Sequence, residues 1–230
     1  YSIYQDYAQA LDIYENGYQL SCAANNADMQ FKFLNNMIGA NCDIGKTGEA
    51  RKLNAKVKLI KGVDHGMLMF YYYFNNGFIA GFEKQDNEKA HWMNMAIATV
   101  KRNNLPQKYL VFPYSEVYQC YERQGELDKA LAALLKYDSL AHVINNTKNK
   151  AVDKGKAADY QGQAYLYADC YKGLMRIYTK MGNKEKALYY QNEFFRYNDS
   201  LLNVNEFSKI RNQHLNYENR QTQLIIESQR

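Results

Sequence analysis

The amino-acid sequence predicts an all-α chain built as an array of antiparallel helical hairpins. Two observations carry that prediction and a third supports it. Apolar residues recur at helix spacing, and a short polar turn followed by an alanine recurs at a fixed interval. Only two prolines and thirteen glycines interrupt the 230 residues, and no alternating segment flanked by hairpin turns is present. The clearest unit runs from Tyr171 to Leu201. Tyr171, Leu174 and Tyr178 form one apolar stripe, Gly182-Asn183 stops that helix, and Ala187, Tyr190, Phe194 and Tyr197 form the facing stripe. Ala187 stands where the hairpin closes, because a small side chain lets two backbones approach. One hairpin cannot bury its own apolar face, so neighbours are required.

The same turn-then-alanine feature appears at Gln5–Ala10, Gly45–Ala50, Gln85–Ala90 and Gly125–Ala130. The marker alanines Ala10, Ala50, Ala90, Ala130 and Ala187 are separated by 40, 40, 40 and 57 residues. Taken in order, residues 6–23 read as the second helix of an incomplete first hairpin. Phe31, Leu34, Met37 and Ile38 line a helix over about 25–43, and Leu53, Val57 and Ile60 line its partner. The next helix, over about 67–84, carries Phe70, Phe74, Phe78 and Phe82 at i+4 steps. Its partner holds Trp92, Met93, Ile97 and Val100 and ends at Arg102, where Asn103-Asn104-Leu105-Pro106 breaks the helix. Pro113 suits the first turn of the following helix. That helix continues through Tyr114, Val117 and Tyr121, and Leu127, Ala130, Leu134 and Tyr137 line its mate. The longer last interval places an exposed polar loop at about 145–155, before a helix over 157–181.

Beyond Leu202 the spacing changes. Phe207, Ile210, His214, Tyr217, Gln221 and Leu224 follow a heptad seam, weakened by its polar members. The expected organisation is a repeat domain over 1–202 and a connector or capping helix over 203–230. The chain opens inside what reads as a second helix, so further sequence is expected before Tyr1.

The 22 tyrosines suit helix interfaces, and many hydroxyls are expected at wet groove rims. The net charge of +5 is modest and its basic residues are dispersed, which argues against a nucleic-acid surface. The longest apolar run, Met67 to Phe74, is far short of the ~20 residues of a membrane span. Cys22, Cys42, Cys120 and Cys170 lack metal-ligand spacing and read as small helix-stripe residues. The four histidines are scattered, so no metal, cofactor or catalytic motif is expected. Ala40 to Thr47 imitates a phosphate loop, but it follows a helical pattern rather than a buried strand.

The Tyr171–Ala187 pattern of aromatic, leucine, tyrosine, Gly-Asn turn and alanine resembles a tetratricopeptide repeat, with Met175 where that family has Gly or Ala. The resemblance implies a superhelical array whose first helices line a concave, peptide-binding face. On this chain it assigns Lys32, Asn35, Asn36, Tyr72, Asn75, Asn76, Gln119, Arg123, Lys172 and Arg176 to that face. Asn35-Asn36 and Asn75-Asn76 are expected to hydrogen-bond the backbone of an extended peptide.

The Tyr-Asn-rich texture, with Tyr137-Asp138-Ser139-Leu140 and Asn198-Asp199-Ser200-Leu201, resembles the extracytoplasmic repeat domains of Bacteroidetes membrane-anchored regulators. That resemblance implies a non-catalytic sensor region preceding a membrane span and a histidine-kinase or helix-turn-helix output. The membrane would be reached through flanking segments. A weak homodimer would form along Phe207, Ile210, His214, Tyr217 and Leu224. The alternative is a stand-alone cytosolic scaffold or co-chaperone that binds protein tails.

Overall fold

The computed structural model describes residues 3–149 and 157–198. Among them every regular element is helical, as expected, and two compact units are distinguished, up to Leu140 and from Ala141. In the first unit, α1 (Ile3–Ala23), α2 (Ala27–Asp43) and α3 (Thr47–Val57) are followed by α4 (His65–Phe82) and α5 (Asp86–Arg102). A 3₁₀ turn at Gln107–Leu110 leads into α6 (Val111–Arg123), and α7 (Leu127–Asn149) begins in this unit. The second unit contains α8 (Ala157–Lys180) and a helix at 184–198, here α9.

Helix stops explain why the hairpins form where they do. Asn25, Gly45, Lys84, Gly125 and Gly182 all have positive φ, between 49° and 77°. After each, the chain closes the Schellman pattern, as in Gly45 N–H to Cys42 O at 2.9 Å and Lys46 N–H to Asn41 O at 2.8 Å. Glycine adopts this conformation without steric penalty, and asparagine tolerates it. Lys84 is the exception, a long side chain at φ 60°. Starts are set by side-chain caps: Asn26, Asp64 and Asn183 accept the amides of Met29, Met67 and Lys186.

The apolar stripes then pack. Leu34, Ile38, Cys42, Ala50, Val57, Ile60, Leu68 and Ile79 form one core across α2, α3 and α4. Ala50, Ala90 and Ala130 are buried, as the closure argument requires. Tyr118 of α6 stacks on Tyr137 of α7 at 6.4 Å between ring centroids. In the second unit Tyr171 and Tyr178 both stack on Tyr190, at 5.9 and 5.6 Å, and Tyr167 and Tyr171 meet Tyr197. The stripes expected to face each other in this hairpin do so.

Four expectations are corrected. Gln5–Ala10 is not a turn: α1 runs through it, and Ala10 is a half-buried helical residue. Residues 145–149 belong to α7, so the helix consumes part of the expected loop, whose remainder at 150–155 lies outside the described residues. The wet-rim expectation fails for Tyr118, Tyr137 and Tyr167, which are buried, but not for the half-buried Tyr71, Tyr72, Tyr109, Tyr114 and Tyr121. The buried Tyr167 hydroxyl donates to the Ala141 carbonyl at 3.4 Å.

The fourth correction concerns the period. The alanines tick at 40, but the left-handed turn residues Gly45, Lys84 and Gly125 fall 39 and 41 apart. The α4–α5 connection holds one extra residue between turn and alanine. Counting five residues on from each turn reaches Ala50, Ala130 and Ala187, but Lys89 after Lys84. The connector residues 203–230 lie outside the described residues.

Candidate functional site

The extra turn residue decides which side chains of α4 face the row of first helices. One residue is 100° of helix rotation, so a ruler laid on Ala90 selects the wrong side of α4. Counting from Lys84 instead places Tyr71, Phe74, Phe78 and Phe82 level with Lys32, Asn35, Gly39 and Asp43 of α2. On α6 the corresponding residues are Phe112, Ser115, Gln119 and Arg123.

Asn76 agrees with this count, falling level with buried Met37 and Val117, whereas Asn75 falls level with exposed Asn36 and is buried for a different reason. Asn75 and Asn76, assigned to the peptide-binding face from the sequence, are both buried. Asn75 Nδ2 donates to Asn35 Oδ1 at 2.7 Å and to Asn54 Oδ1 at 3.1 Å, and Asn54 Nδ2 donates to the Tyr72 carbonyl at 2.9 Å. The recurring asparagine is therefore a polar tie between successive hairpins, not a peptide contact. Buried amides are held in such networks because an unmade hydrogen bond costs more than a made one returns. Asn76 Nδ2 is the one buried side-chain donor among the described residues that has no partner.

The other assigned residues separate. Lys32, Asn36 and Lys172 are exposed, while Gln119 and Arg176 are half-buried. Tyr72 turns away to α5, edge-on to Trp92 at 6.4 Å, with the Lys58 ammonium over its ring at 4.1 Å. Arg123 grips Asp86 with Nε at 2.7 Å and Nη2 at 2.5 Å, and this pairing holds the carboxyl below its usual range. The seam residues Phe207, Ile210, His214, Tyr217 and Leu224 lie outside the described residues.

The face selected by the corrected count is aromatic. Between α4 and the start of α6 lies a groove of about 660 Å³, floored and walled by Phe70, Tyr71, Phe74, Phe78, Tyr109 and Phe112. Lys108 and Glu116 complete its lining. The walls are built by helix spacing: Phe70 and Phe74 stack at 5.9 Å, Phe74 and Phe78 at 6.5 Å, and Phe78 meets Phe82 edge-on at 5.1 Å. Tyr109, carried by the 3₁₀ turn, closes one end against Phe70 at 5.2 Å and Tyr71 at 6.1 Å. Burial, with Tyr109 beside it, pushes the Tyr71 phenol above its ordinary value. Phe112 is 63% exposed and Phe82 42% exposed, large apolar areas left to water on one face.

Sequence reasoning marked the α4 phenylalanines as a helix stripe but did not bring Tyr71, Lys108, Tyr109 or Phe112 to a site. The missing signal was Gly77, where an added Cβ would lie 2.9 Å from Met93 Cε. That close approach fixes which side of α4 packs on α5, and hence which side does not.

The groove offers no nucleophile–base pair and few polar groups, so its chemistry is apolar recognition with two charged ends. The described residues contain no group of three His, Cys, Asp or Glu placed to hold a metal. Cys42, Cys120 and Cys170 are buried, and burial pushes the Cys42 thiol up to about 11. No helix among the described residues is long and apolar enough to cross a membrane.

No protein-family model matches the chain, and no curated protein matches it. Solved structures do. The crystal structure of MamA superposes with a TM-score of 0.54 at 17% identity, covering 85% of this chain and 91% of that one. BtubC (BKLC) from P. vanneervenii gives a TM-score of 0.52 at 10% identity, covering 85% of this chain and 92% of that one. Both are tetratricopeptide-like repeat structures, and at these identities the likeness is one of fold. The chain has an all-α, tetratricopeptide-like repeat fold.

Proposed function

We propose that this chain is a non-catalytic protein-interaction domain whose partner docks in the aromatic groove between α4 and α6. The observation that carries the reading is the exposed aromatic face itself. Helical repeats can bury Phe in their cores, yet here Phe112 and Phe82 stand open beside a 660 Å³ groove on the face of the first helices. Exposed contiguous apolar surface of this kind marks interaction sites.

A photo-crosslinking residue at position 112 tests it, with a second at Ala98, an exposed position on α5, as control. In cells of the source organism, position 112 is expected to trap a protein that position 98 does not. Equal labelling from both positions, or none from 112, overturns the reading.

The finer proposal is that the domain is the extracytoplasmic sensor region of a membrane-anchored regulator. The Tyr-Asn-rich repeat texture and the heptad-spaced residues 207–224 support it. In that reading partner binding alters the pairing of exit helices through Phe207, Ile210, His214, Tyr217 and Leu224. The complete reading frame tests it: a run of about 20 apolar residues after Arg230 is expected. Its absence removes the sensor role and the extracytoplasmic location, and leaves a cytosolic scaffold as the interaction domain's setting.

A further inference from the structure

We infer that the groove's occupant is an amphipathic helix of a partner protein, with an apolar stripe and an acidic residue at the end that meets Lys108. The inference rests on the interaction reading above and specifies its partner.

Three features of the groove select a helix over an extended peptide. First, an extended segment leaves its backbone N–H and C=O groups to be satisfied by the receptor, whereas a helix satisfies its own. The amides that could have served an extended backbone, those of Asn75 and Asn76, are buried, Asn75 against Asn35 and Asn54, and neither lines the groove. The groove's lining is aromatic apart from Lys108, Glu116 and the tyrosine hydroxyls. Second, the apolar row Tyr71, Phe74, Phe78 and Phe82 steps by three, four and four residues along α4. It extends roughly 16 Å, the length over which a partner helix presents anchors at i, i+3 or i+4, and i+7. Third, Phe112 stands on the opposite wall from that row, so the anchors would lie between the α4 row and the exposed Phe112 ring.

The charge assignment follows from which groove-end charges are already used. Glu116 is held by the Lys89 ammonium, which neutralises that carboxylate. Lys108 lies over the Tyr109 ring with its Nζ 5.2 Å from the centroid, and among the described residues it has no acidic partner. Tyr109 packs on Tyr71, so this ammonium sits toward the Tyr71 end of the row. A carboxylate there gains a charge-assisted contact, while a lysine is repelled.

The test is an unbiased selection. A displayed library of random peptides, about 16 residues or roughly four turns long, is enriched on the full chain. Recovered peptides are then measured by fluorescence anisotropy against wild type, Phe112→Ala and Lys108→Glu. Both substitutions fall on exposed side chains, and circular dichroism confirms that each variant keeps its helices. The expected sequences carry apolar residues at helical spacing with Asp or Glu at one end. Phe112→Ala should weaken them about 30-fold, as loss of a binding hot spot does. Lys108→Glu should weaken them at least threefold, and replacing the peptide's acid by lysine should restore binding to that variant.

Groove-dependent peptides that tolerate a central proline overturn the helix assignment while leaving the docking face intact. Peptides indifferent to Lys108→Glu overturn the charge assignment alone. Peptides indifferent to Phe112→Ala, or no enrichment at all, overturn the inference and remove support from the groove as docking face.

Discussion

Asn76 occupies a position that other repeats fill with Met37, Val117 or Leu174, all of them buried. Its Nδ2 has no hydrogen-bond partner, so the side chain has left water without compensation. Replacing Asn76 by Leu is expected to stabilise the domain by about 1–2 kcal/mol, the cost of an unpaired buried donor plus the apolar area gained. Chemical denaturation checks it: the midpoint should rise with an unchanged slope. Its neighbour Asn75 is the opposite case, with both nearby amide oxygens supplied. Charge matters at the same scale. Arg51 reaches Glu83 at 2.5 Å and Glu88 at 3.1 Å, and it holds the Glu83 carboxyl below its ordinary range. A carboxyl whose folded value is depressed adds stability that is complete above its unfolded value, about 4.3, and is lost as pH falls through the folded value. Glu83→Gln should therefore lower stability at pH 7 by about 1 kcal/mol or less, because the pair is partly solvated. Melting temperatures of the two proteins should converge in acid below that value.

At the scale of elements, the turns set both the fold and its legibility. Lys84 holds φ 60° where Gly45, Gly125 and Gly182 hold 75° to 77°, and a side chain in that region is disfavoured by ~1–2 kcal/mol. Lys84→Gly is expected to raise stability by about 1 kcal/mol, partly offset by the freer unfolded chain. A thermal melt checks the sign. The same lysine explains which parts of the sequence could be read. Helices and most hairpin turns were legible because apolar spacing and Gly-centred stops are local signals. The α4–α5 turn lacks a glycine and its alanine comes one residue late, so alanine spacing alone places the inner row of α4 one residue out of register. Gln5–Ala10 failed for a related reason, since an Asp and a small residue inside a helix imitate a stop. In α2 and α6, Lys32, Asn35, Gln119 and Arg123 fall on the row counted from the turns, and whether they touch a partner is a matter for experiment. The aromatic α4–α6 groove was not legible as a site, because Lys108, Tyr109 and Phe112 reach it from a 3₁₀ turn and its junction with α6.

For the whole molecule, stability in a repeat array is a sum of hairpin and neighbour contributions and need not be uniform. Helices α4 and α5 bury side chains along their full length, including Ile79, Ala80, Met93 and Ala96. In α1, Ser21 is the one buried residue among the described side chains, and Ile13 and Leu20 are exposed. Native-state hydrogen exchange should accordingly be slowest in α4 and α5 and fastest in α1. Uniform protection would mean that the array unfolds as one body.

Lys89 carries a consequence for how the hairpins communicate. Its stem lies 3.3 Å from where Gly81 would bear a Cβ, at the place where other hairpins close on a methyl group, and its ammonium reaches Glu116 of α6. One side chain thus serves as the latch of its own hairpin and the coupling to the next. In the vocabulary of a one-dimensional chain of spins, the site energy and the nearest-neighbour energy share a residue at this point. Opening the α4–α5 latch therefore also releases a tether on α6, the helix that forms the groove's far wall. A partner that clamps the two walls together would then stiffen both hairpins as a single cooperative block.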